Sequence, residues 1–98
     1  MYYAIRGIDV PMSLPARRSL RPAHLARVEI LRDAGRLLLA GPLPAIDSPD
    51  PGPAGFVGSL IVGEFDSLEQ ARAWAEADPY FVGGAWGRIE VDPFIRVF

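Results

Sequence analysis

Residues 57–65 (VGSLIVGEF) place Leu60 and Val62 on one side of a strand and Ile61 and Phe65 on the other. Side chains alternate faces along a strand, so both faces of this one are apolar and both need cover. The chain has 98 residues. Single domains typically run to about 100–150 residues, so residues 1–98 make one domain with one core. A lone core of this size covers one face of such a sheet with helices and leaves the other for a partner.

The flanking pattern supplies the rest of the sheet. Residues 2–9 (YYAIRGID) are aromatic and β-favouring and read as a first strand. Pro11 and Pro15 break the next stretch into a loop, where Ser13 is placed to cap a short helical segment. Pro22 predicts a break or kink near Arg21, with a main helix over 22–34 that Gly35 ends. Leu20, His24, Val28 and Leu31, spaced four, four and three apart, form the face that packs on a sheet, with Arg27 and Arg32 elsewhere.

Residues 36–43 (RLLLAGPL) read as a second strand, and 44–56, with four prolines, as a long surface loop. Residues 57–65 are the third strand. Ser67 and Gln70 form a capping box that opens a second helix from 68 to about 77, closed by Asp78-Pro79. Gly83-Gly84 is a turn, and Trp86 to Phe98 is extended, with Pro93 confining its later part to an edge or bend.

The order β-α-β-β-α-β predicts an α+β, ferredoxin-like fold. Right-handed crossovers give a four-stranded antiparallel sheet in the order 4-1-3-2, with both helices on one face. The bare face, apolar through the third strand, is expected to pair with that of a second copy, giving a homodimer.

Composition excludes several function classes. Ten basic residues against 12 acidic ones give a net charge of −2, without the basic excess of a nucleic-acid binder. No apolar run approaches the roughly 18 residues of a membrane span, so no membrane partner is expected. Cysteine is absent, and a cytoplasmic protein is expected. One His without Cys or a neighbouring carboxylate pair is a poor ligand set, so neither a metal ion nor another cofactor is expected.

Strand and helix directions gather the chemistry at one rim: Asp9, Arg17, Arg21, His24, Gly41, Pro42, the 44–56 loop, Asp78 and Tyr80. The loop is expected to border a pocket there and to be its most mobile wall. His24, in the first turn after Pro22, stands alone on an apolar face. Burial and the positive end of the helix dipole both disfavour an imidazolium there, so a neutral proton acceptor is expected. Asp78 continues the inward face of the second helix, four residues after Trp74. A His–Asp pair at a pocket rim is the minimum for general acid–base catalysis. The same residues also fit a plainer account: a semi-buried His with one hydrogen bond, and a turn Asp bonded to its own backbone. Arg17 and Arg21, beside Gly41, Pro42 and Tyr80, either hold a carboxylate or phenolate or form a solvated basic face.

The run Arg21-Pro22-Ala23-His24-Leu25, then Gly35 to Pro42, Asp47-Ser48, Asp50-Pro51-Gly52, Ala73-Trp74-Ala75 and Ala77-Asp78-Pro79-Tyr80, resembles the YciI-like protein family across essentially the whole chain. The resemblance implies a ferredoxin-like fold assembled as a dimeric α/β barrel. It also implies an active-site His–Asp pair, which falls on His24 and Asp78. A relative of that family is a dehydrochlorinase acting on a chlorinated hydroxyquinol. Two functions follow as expectations. One is a cofactor-free lyase or isomerase acting on a small anionic or phenolic molecule. The other is a small-molecule or protein-binding module whose His–Asp pair is structural.

Overall fold

The computed structural model describes residues 1–98. The chain runs β1 (Tyr2–Asp9), α1 (Leu14–Asp33), β2 (Leu37–Pro44), a 3-10 turn at Gly52–Ala54, β3 (Phe56–Glu64), α2 (Leu68–Glu76), α3 (Pro79–Val82) and β4 (Trp86–Phe94). The four strands form one sheet in the order β2-β3-β1-β4, with every neighbouring pair antiparallel. Read from the other edge, that is the 4-1-3-2 order expected of the ferredoxin-like pattern.

Register sorts the side chains by face. On the helix side Ile5 lies opposite Ile61 and Val91, and Gly7 lies opposite Ser59 and Ile89. Val28 and Leu31 of α1 and the fully buried Ala71 and Ala75 of α2 close over this row. Alanines at those two positions let α2 sit close on the sheet. Gly7 is needed for an equally close approach, because a Cβ there would stand 2.2 Å from the Trp86 indole.

The opposite face has no helix. It is apolar along β2 and β3, where Leu39 lies opposite Val62 and Leu43 opposite Gly58. It is charged along β4, where Glu90 faces Arg6 and Asp92 faces Ala4. No helix is long and apolar enough to cross a membrane.

The chain departs from its sequence reading in three places. First, α1 is continuous from Leu14 to Asp33 and carries Pro22 in its interior. Proline frees the carbonyl four residues earlier. That carbonyl belongs to Arg18, and both Arg18 and Pro22 lie on the exposed side of the helix, where a freed carbonyl costs little. Second, Asp78-Pro79 does not only end a helix: it starts α3, with Asp78 as N-cap and Pro79 in the first turn. Third, β4 stops at Phe94, because its partner β1 begins at Tyr2, opposite Phe94. Residues 95–98 have no strand left to pair with.

The Gly7–Trp86 contact yields a stability test. Gly7→Ala should cost about 1–3 kcal/mol by overpacking, read as a lower urea midpoint with an unchanged slope.

Candidate active site

His24 sits in the middle of α1, with its ring turned into the seam between that helix and the sheet. Its Nδ1 lies 2.9 Å from both carboxylate oxygens of Asp78. Asp78 has no solvent exposure, and His24 retains 7%. An ionised carboxylate only accepts hydrogen bonds, so Nδ1–H donates and the neutral ring carries its lone pair on Nε2. Nε2 has no partner in the chain. Trp86 Nε1 is the one sealed side-chain polar atom without a partner, so Nε2 opens to the cleft. Because α1 begins at Leu14, His24 lies ten residues in. The helix dipole, which acts only over the first turn, does not reach it. The ring is set by its neighbours instead. Tyr80 stacks on it with centroids 4.1 Å apart and planes within 12°, and Trp86 meets its edge at 5.7 Å.

Asp78 has two further donors. Tyr80 N–H donates to Oδ1 at 2.9 Å, which caps α3. Arg27 Nη1 reaches Oδ2 at 3.5 Å while its guanidinium lies over the Trp74 ring, 4.6 Å from the centroid. The sequence reading set Arg27 apart from the inward face. Its place three residues after His24 on one helix was the available signal.

Arg17 is buried, with 6% exposure, rather than part of a solvated basic face. Its Nε and Nη2 donate to the two oxygens of Asp9 at 2.6 and 2.8 Å, and Nη2 also reaches Gly58 O and Ser59 Oγ, each at 2.9 Å. The Ser13 hydroxyl does not cap α1; it donates to Asp9 Oδ2 at 2.5 Å. The Phe56 and Tyr80 rings each lie 5.0 Å from the Arg17 guanidinium carbon. Arg17 Nη1 makes none of these bonds and is not sealed off, and the guanidinium is near enough to the Tyr80 phenol to act on it as a hydrogen-bond donor.

The cleft is a cavity of about 350 Å3. Of the candidate residues, His24, Arg17, Arg21, Gly41, Pro42 and Tyr80 line it, whereas Asp78 stands behind His24. The long loop does not border this cavity: Asp50, Pro51 and Gly52 line a second one beside it. No three His, Cys, Asp or Glu side chains converge as a metal-ligand set.

The sequence profile of the YCII-related domain matches residues 1–95. The chain belongs to that family. It is 56% identical to the protein YciI of Escherichia coli O6:H1 (strain CFT073) over 98 residues, all of both chains. It is 45% identical, again over the full length of both, to an uncharacterized protein of Haemophilus influenzae (strain Rd). A solved structure of similar fold is a 5-chloro-2-hydroxyhydroquinone dehydrochlorinase from Burkholderia phenoliruptrix AC1100, in complex with 2,5-dihydroxybenzoquinone. It matches with a TM-score of 0.84 and 25% identity, covering 97% of this chain and 94% of that one. The family resemblance read from the sequence is thus established, and the ferredoxin-like architecture with it.

Burial pushes the Tyr80 phenol of this YCII-related chain above its ordinary range. The Arg17 and Arg21 charges and a hydrogen bond from the Arg17 side chain oppose the rise, and Asp78 adds to it. The folded state therefore holds the Tyr80 proton more tightly than the unfolded state. The stability this brings is complete below about pH 10 and is lost as pH climbs through the raised value. Melting temperatures measured across that range should fall more steeply for the wild type than for Tyr80→Phe, whose ring has no proton to lose.

Proposed function

We propose that the chain is a cofactor-independent acid–base enzyme, of lyase or isomerase type, acting on a small anionic or phenolic compound. One observation carries this reading. The His24 imidazole is held at Nδ1 by a carboxylate without access to water, while its Nε2 opens into a cleft. In this mechanism Nε2 takes a proton from a substrate C–H or O–H group. Asp78 fixes the tautomer and stabilises the imidazolium that forms. The developing oxyanion meets Arg21 and the Arg17 guanidinium. Returning the proton at another position completes an isomerisation. Alternatively, the C–H bonding pair becomes a C=C bond as a leaving group departs with its own pair, which completes an elimination.

The dehydrochlorinase of similar fold acts, by its name, on a chlorinated hydroxyhydroquinone. That supports hydroxylated ring compounds as the class to test first. A shared fold does not transfer an activity, so the weight stays on the dyad. A second reading has its own support: Asp78 also caps α3 through Tyr80 N–H, as a structural aspartate does. It makes the chain a binding module whose His–Asp pair only stabilises the fold.

The two readings separate in one experiment. With 5-chloro-2-hydroxyhydroquinone as the probe and chloride release as the readout, His24→Gln should lower turnover by about 10²–10⁴-fold with the fold retained. Asp78→Asn should lower it too, through loss of the charge behind the imidazolium. A structural pair predicts the reverse pattern: melting temperatures fall, while any ligand bound in the cleft binds as before.

A second copy of the chain is the proposed cover for the outer face, given the apolar row through Leu39, Leu43, Leu60 and Val62. Such a homodimer should bury more than about 1,200 Å2 in total. Sedimentation at low micromolar concentration should give twice the chain mass, and a stable monomer there would defeat the assembly.

A further inference from the structure

Beyond Tyr80 lies the second cavity, of about 300 Å3, against the proline-rich loop. Arg18, Asp50 and Phe56 belong to its lining alone, whereas Arg17, Arg21 and Tyr80 border both cavities. Each cavity is at the lower end of the size range of ligand pockets, about 300–1,000 Å3, and Arg17, Arg21, Pro42 and Tyr80 form a wall common to both.

The charges here do not cancel. Arg17 is matched by its two-pronged pair with Asp9. Arg18 and Arg21 take part in none of the ion pairs in the chain. Asp50 is the only acidic residue in the lining. Two unpaired cations against one carboxylate leave a single positive charge, which suits a monoanion better than a phosphate dianion. Arg17 adds a directional donor. Its residue is more than nine-tenths buried, its guanidinium carbon lies 5.0 Å from both the Phe56 and the Tyr80 ring centroids, and its Nη1 is not sealed from the cleft. Flat aromatic walls and a fixed planar donor favour a planar acceptor, which a carboxylate is.

We infer that the second cavity is a carboxylate subsite. The substrate class is then a small ring compound bearing one carboxylate, seated with its ring at His24 and Tyr80 and its carboxylate beyond Tyr80, among Arg17, Arg18 and Arg21. This inference rests on the acid–base reading only for which end of the molecule reacts.

Benzoate, benzyl alcohol and inorganic phosphate are the probes, followed by amide NMR titration of the full chain. Benzoate should shift the Arg18, Asp50 and Gly52 amides and bind more tightly than either of the others. Arg18 is exposed on α1, so Arg18→Gln tests charge rather than folding. It should weaken benzoate about 3- to 10-fold. Equal affinity in Arg18→Gln, phosphate binding as tightly as benzoate, or shifts confined to the surroundings of His24 would each overturn the subsite. The two proposals fail separately. If His24→Gln keeps its turnover while Arg18→Gln loses benzoate, the acid–base reading falls and the subsite stands. The opposite pair of results removes the subsite alone.

Discussion

A carboxylate cut off from water has to find its donors within the chain, because an uncompensated buried charge costs several kcal/mol. Asp78 finds them on two elements: the Nδ1–H of His24 and the guanidinium of Arg27 from α1, and the Tyr80 N–H at the start of α3. Satisfying that one group fixes the relation of α1 to the segment following α2. It also orients the imidazole, because the carboxylate leaves Nδ1 no other role. Tyr80, placed by the cap it forms with Asp78, then stacks on the ring it helps to position. The open edge of the imidazole is thus a consequence of how a buried charge is neutralised.

A second buried ion pair stands at the other side of the cleft. Asp9 ends β1 and takes Ser13 and Arg17 from the start of α1, while Arg17 continues to Gly58 and Ser59 of β3. The two pairs tie α1 down at two points, one near its start and one at its middle, so the seam between them keeps its width. Both pairs face the cavity, where His24 Nε2 is an acceptor and the Arg17 guanidinium a donor. A ligand can place a proton at one and negative charge at the other.

Local patterns carried the element order, the strand pairing and the inward direction of His24. Apolar spacing and capping residues act within a few positions of each other. What they did not carry depended on partners far along the chain. Arg17 reads as a surface cation until Asp9 is placed beside it by the β1–α1 turn. Pro22 reads as a helix breaker until it and Arg18, whose carbonyl it frees, are found on the exposed side of α1. The start of α3 is ambiguous in the sequence. An aspartate followed by proline is as much an N-cap with its first-turn residue as a helix end, and only packing against α1 decides between them.

The double employment of Asp78 bears on how the dyad is to be understood. Its contacts to Tyr80 N–H and Arg27 would be needed for folding whether or not any reaction occurs, so its burial alone says little about catalysis. His24 differs. A side chain kept only to satisfy Asp78 needs one donor, and Nδ1–H supplies it; an amide side chain could do the same. The second nitrogen does nothing for the fold. It has no partner, it is not sealed away, and it lies on a cavity wall beside the Arg17 guanidinium. Leaving a strong polar group unmatched beside a cleft forgoes a hydrogen bond that a purely structural site would have made within the chain. Its free lone pair is the part of the arrangement that folding does not explain and that a proton-transfer site requires.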